Sequence, residues 1–74
     1  MPPEELRAAL DKLDLTQQKA AELFGHDQRT MRYWVAGHRA IPQGIAILLR
    51  LLVAGKITIG DVARARKAHK ILRH

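Results

Sequence analysis

The sequence contains no cysteine and no serine. The first absence excludes disulfides and thiolate metal sites, so apolar packing must hold the chain together. The second removes the commonest hydroxyl nucleophile. No glycine-rich phosphate loop is present. The histidines at 26, 38, 69 and 74 never fall three or four residues apart, which is the spacing two ligands on one helix would need. No metal, no cofactor and no catalysis is therefore expected. Long apolar runs are missing too. The longest, Ile45 to Ala54, is interrupted by Arg50 and is too short to span a bilayer. The opening "MPPEELRAAL" carries two acids and no basic segment, unlike a secretory signal, so a cytoplasmic location without membrane attachment is expected. Internal repeats and low-complexity tracts are also absent.

Acidic residues become scarce after the middle of the chain. Met1 to Met31 holds four bases and six acids, whereas Arg32 to His74 holds nine bases and one acid, for a formal net charge of +6. Such asymmetry points to a face meant for a polyanion. A basic tail that only keeps a small protein in solution is the plainer alternative. With 74 residues, 47% of them hydrophobic, the composition fits one small ordered domain, residues 1–74, near the lower limit for a self-sufficient core.

The apolar spacing predicts an all-α fold of five helices. The first opens after Pro2 or Pro3, with Glu4 and Glu5 at the positive end of its dipole, and carries a stripe of Leu6, Leu10 and Leu13. Asp14-Leu15 breaks it. Thr16 is an N-cap for a second helix reaching Phe24, with Ala20, Ala21, Leu23 and Phe24 for packing and Gly25 as its stop. Asp27 caps a third, Gln28 to Ala36, stopped by Gly37. Pro42 begins a fourth, with Ile45, Leu48, Leu49 and Leu52 on its core face, Ile41 just before it, and Gly55 closing it. Thr58 and Asp61 resemble a loose capping box for a fifth helix, 58–72. "ITI" as a short strand is the weaker reading, because no partner strand exists.

Two short helices joined by a glycine turn form a helix-turn-helix, here 16–36. Ala21, four residues before Gly25, lets the helices cross closely. Met31 and Trp34 share the inner face of the third helix and are expected in the core rather than as a stacking platform. That leaves Gln28, Arg29, Arg32 and Tyr33 outside, side chains suited to base edges and phosphates. Tyr33 either joins them or closes the edge of the core. Thr30 touches a thymine methyl or, more simply, satisfies the backbone. Gln17 contacts a phosphate or caps its own helix. His38 and Arg39, just past the third helix, suit phosphates. Arg64, Arg66, Lys67, Lys70 and Arg73 read as a solvated face with phosphate contact as the alternative.

"LTQQKAAELFG" followed by "DQRTMRYWVAG" resembles the Cro/repressor-type (Xre-like) helix-turn-helix domains, over Leu15 to Gly37. More narrowly, "QQKAAELFG" and "RTMRYW" resemble small phage-borne anti-CRISPR-associated regulators, which repress their own operons through inverted-repeat promoters. The resemblance implies that Gln17 and Gln18 open the second helix against phosphate, with Lys19 beside them. It implies that Gln28, Arg29 and Tyr33 face the major groove, with Arg32 at its edge. His26 in the turn, where a small or aliphatic residue is usual, departs from the family pattern. So does the basic fifth helix.

The function these features imply is a sequence-specific transcriptional regulator, a repressor that covers a promoter. It would bind duplex DNA as a homodimer on an inverted repeat, with no second domain for a small-molecule effector. Leu51, Val53, Ile57, Ile59, Val62 and Leu72 are the candidate dimer surface, unless they only pack the fifth helix onto its own domain. The alternatives are an antitoxin-like protein-interaction module and a nonspecific or RNA-binding basic protein.

Overall fold

A computed structural model describes the backbone of residues 1–72 and the side chains up to Lys67. It is all-helical: α1 (Pro3–Lys12), α2 (Gln17–Phe24), α3 (Gln28–Ala36), α4 (Gln43–Val53) and α5 (Ile59–Leu72), with no strand among the described residues. The "ITI" segment instead leads into α5, whose first residue is Ile59. Thr58 Oγ1 accepts from the Asp61 amide at 3.1 Å, and an Asp61 carboxylate oxygen accepts from the Thr58 amide at 2.9 Å. The capping box is therefore reciprocal, with aspartate doing what glutamate or glutamine usually does.

Each of the first four helices stops by the same device. An amide two or three residues past the helix end returns to a carbonyl five residues back: Leu15 to Leu10, His26 to Ala21, His38 to Tyr33 and Lys56 to Leu51, all at 2.9–3.0 Å. The turn requires one left-handed residue. Glycine supplies it at Gly25 and Gly37, with φ of 77° and 81°. In α1 the residue is Asp14, at φ 57°, which adds steric cost and a negative charge at the negative end of the helix dipole. Asp14→Gly is accordingly expected to stabilise the fold by about 0.5–1 kcal/mol, and thermal denaturation would read it. Gly44→Ala should act in the same direction by a similar ~0.5–1 kcal/mol, because a Cβ there meets nothing within 4 Å. Gly37→Ala should do the opposite, since its Cβ would sit 3.1 Å from the rigid Pro3 ring. A common sign for all three would contradict this reading of the turns.

The core draws on every helix. Leu6, Ala9 and Leu10 of α1, Ala20 and Ala21 of α2, and Met31 and Trp34 of α3 are buried. Ile41, Ile45, Ala46, Leu49, Leu52 and Val62 join them. α2 packs on α3 and α5, and α1 packs on α3 and α4. Two expected core positions shift. Leu48 is only half-buried and Ala46 takes its place, while Leu13 is half-buried and Ala9 is inside. In each helix the 3.6-residue period puts the displaced leucine at the edge of the inner arc.

The expected dimer surface is also partly used up. Val62 is 8% exposed and Ile57 packs on the core, so both hold α5 and its approach to their own chain. Val53 is half-buried. Leu51 and Ile59 remain exposed, and Ile47, at 48%, is the most exposed large apolar side chain among the described residues. Leu72 as an interface side chain lies outside the described residues.

A bidentate ion pair ties α1 to α4. Arg50 Nε lies 2.9 Å and Nη2 3.2 Å from the two Glu5 carboxylate oxygens. Hydrogen bonding to Arg50 holds the Glu5 carboxyl below its ordinary value. A carboxylate with a lowered folded-state pKa adds stability above its unfolded pKa and loses it as pH falls through the folded value. The melting-temperature gap between the wild type and Glu5→Gln should therefore be present at neutral pH and close below about pH 4. It should be small, because both side chains are about half exposed and water screens them. A gap of constant size across that range would exclude the ion pair as its cause.

Candidate nucleic-acid interface

The α2–turn–α3 unit is built by local capping. Thr16 Oγ1 accepts from the Lys19 amide at 3.1 Å, and an Asp27 carboxylate oxygen accepts from the Thr30 amide at 2.7 Å. Thr30 is half-buried over this bond, in keeping with a backbone role. Hydrogen bonding from Thr30, through its side chain first and then its amide, holds the Asp27 carboxyl below its ordinary value. The two helix starts thus differ electrically. α2 has a neutral cap, which takes the Lys19 amide and leaves the Gln17 and Gln18 amides and the dipole to an anion. α3 already has a carboxylate at its N-terminus, which disfavours a phosphate there.

On α3 the core takes Met31 completely and leaves Trp34 5% exposed. Gln28, Arg29 and Arg32, outside that buried stripe, are exposed. Among the described residues, neither arginine has an ion-pair or hydrogen-bonding side-chain partner. Tyr33 is half-buried, and the Arg39 guanidinium lies over its ring, 5.1 Å from the centroid. The His38 ring meets Tyr33 edge-on at 6.4 Å. Tyr33, His38 and Arg39 therefore form one cluster at the far end of the α3 face, a cation–π contact holding the loop arginine. Gln18 and Lys19 are exposed on α2, while Gln17 is half-buried in a shallow depression with Arg7 and Val35. Gln17 is thus the least accessible of the polar residues that open α2.

Three residues outside the expected set shape this unit. His26 in the turn packs its ring edge-on against Trp34, centroids 4.9 Å apart. Arg7 of α1 donates to the Val35 carbonyl at 2.7 Å, and Arg66 of α5 donates to the Glu22 carbonyl. Each arginine closes the C-terminal end of one helix of the pair, where a cation suits the dipole. No local pattern in the sequence could reveal contacts that join residues 28 and 44 apart. The basic set of α5 is accordingly divided. Arg66 is on a carbonyl, Arg64 pairs with Asp61, and Lys67 is exposed. The Lys70 side chain and Arg73 lie outside the described residues.

Elsewhere the surface offers little. A groove of about 200 Å³ between α1 and α4 is lined mainly by Met1, Ala8, Ala9 and Val53 beside the Glu5–Arg50 pair, away from the α3 face. Among the described residues no three metal-ligating groups gather, and no helix is long and apolar enough to cross a membrane. No family model, curated protein or solved structure matches the chain.

Proposed function

We propose that this chain is a sequence-specific DNA-binding regulator of the Cro/repressor helix-turn-helix type, and not an enzyme. One observation carries the reading. α3 buries Met31 and Trp34 and turns Gln28, Arg29 and Arg32 outward, with neither arginine in an ion pair among the described residues. Arginine and glutamine make bidentate contacts with guanine and adenine edges in the major groove. A nine-residue helix at ~1.5 Å per residue covers the rise of about four base pairs, which is one half-site. Phosphates flanking that half-site would meet the N-terminus of α2, with Gln18 and Lys19, on one side. On the other they would meet His38 and Arg39, with Tyr33 holding the arginine.

A homodimer on an inverted repeat completes the site. A two-fold axis would set the two α3 helices in successive major grooves, about 34 Å apart. Ile47, Leu51 and Ile59, the exposed large apolar side chains among the described residues, are available to a second copy. Occupying a promoter in this way excludes polymerase, and we assign the protein to the cytoplasm as a repressor of its own mobile-element or phage operon. Selection from random duplexes followed by competition with bulk DNA tests the reading. An enriched inverted repeat, held about 10³-fold or more over bulk DNA, supports it. Equal affinity for every duplex, or preference for RNA or for a protein partner, would overturn it.

A further inference from the structure

We propose that Arg66 is a positioning residue for the α3 face: from α5 it clamps the end of α2 and the turn, and so sets how α3 sits. The Glu22 carbonyl accepts from two donors, the Gly25 amide at 3.2 Å and Arg66 Nη1. The guanidinium also covers Gly25, where an added Cβ would lie 3.2 Å from Nε. The next residue, His26, donates its amide to the Ala21 carbonyl at 2.9 Å and sets its ring on Trp34. Four side chains and turn groups therefore connect α5 to the inner face of α3: Arg66, Gly25, His26 and Trp34.

The register of α5 explains why position 66 does this. Val62 is buried, and residues four apart lie one above the other on a helix. Anchoring Val62 therefore brings Arg66 over the C-terminus of α2. Ala63, Arg64, Ala65, Arg66 and Lys67 are all exposed, and Ala63, Arg66 and Lys67 share a shallow depression with Leu23 of α2. Among the described residues beyond Val62, Arg66 is the one that hydrogen-bonds the unit. Lysine could supply one donor at that carbonyl, but only the planar guanidinium can donate there and cover Gly25 together. Removing Arg66 frees one acceptor at the helix end, which the Gly25 amide still satisfies. The fold should survive, with the turn loosened.

The consequence for recognition rests on the DNA-binding reading, whereas the clamp itself does not. Arg66→Ala, Arg66→Met and Arg66→Lys can be compared by amide hydrogen exchange and by the emission of Trp34, the single tryptophan. The alanine and methionine variants should speed exchange at His26 by about tenfold and shift Trp34 emission in the folded state. Exchange at Leu6 and Leu49 should change little. The lysine variant should recover part of the protection. Unchanged His26 exchange and Trp34 emission would overturn the clamp. So would equal acceleration at Leu6, Leu49 and His26, which marks a loss of global stability alone. In duplex binding, Arg66→Ala should lower affinity for the selected site about tenfold more than affinity for bulk DNA. Equal losses on both would overturn the effect on α3. If the wild type bound no duplex, the exchange and emission changes would still support the clamp, and only the DNA reading would fail.

Discussion

Trp34→Ala should remove most of the stability of the fold and bring it close to its unfolding midpoint at physiological temperature. Truncating a buried tryptophan costs about 3–5 kcal/mol, and a small domain has a total stability near the lower end of about 5–15 kcal/mol. The indole lies beneath α2 with Met31, 5% exposed, and carries the His26 ring on its edge. No neighbouring element is free to close the cavity, because Ala20 and Ala21 on α2 are already small and fully buried. Urea denaturation followed by circular dichroism would read the loss, and Trp34→Phe should recover more than half of it. A midpoint for Trp34→Ala close to that of the wild type would mean that α3 does not pack through this residue.

Arg29→Ala should have the largest effect on binding that leaves the fold intact. Its side chain is exposed in the first turn of α3, so stability should barely move. Loss of a bidentate base contact costs about 1–3 kcal/mol on the selected site and relaxes preference at one base position. Lys19→Ala makes the contrast. It should weaken binding to all duplexes about equally and reduce the salt slope by about one. Quantitative shift assays at several salt concentrations separate these signatures. An Arg29→Ala variant with wild-type affinity and base preference would show that the outward face of α3 does not read DNA.

The helices were legible in the sequence because their boundaries are set by short-range chemistry. Thr16 with Lys19, Asp27 with Thr30, and Thr58 with Asp61 are capping contacts three residues apart. The left-handed glycines at 25 and 37 fall where the spacing predicts stops. Asp14 shows the limit of that logic. The break at Asp14-Leu15 was readable, but not that an aspartate would hold the left-handed position. Of the outward set Gln28, Arg29, Arg32 and Tyr33, the first three are exposed and Tyr33, which the sequence left between that face and the core edge, is half-buried.

What the sequence concealed is long-range. Arg7 on Val35, Arg66 on Glu22 and Arg50 on Glu5 join residues 28, 44 and 45 apart. Each looks like any other surface arginine until the helices are assembled. Positions on the edge of an apolar arc were ambiguous too. Leu48 gave way to Ala46, and Val62, which the sequence left between a dimer surface and packing on its own domain, is buried in its own chain. Periodicity locates a buried face; it does not say which neighbour covers it.

The central claim is that α3 and the start of α2 form the surface that meets duplex DNA. Titrating isotope-labelled protein with a selected duplex, and following backbone and side-chain resonances, tests it directly. The largest changes should fall on Gln17 to Lys19, Gln28, Arg29, Arg32, Tyr33, His38 and Arg39, with the groove between α1 and α4 unaffected. Changes confined to α4 and α5, or none at saturating duplex, would contradict it.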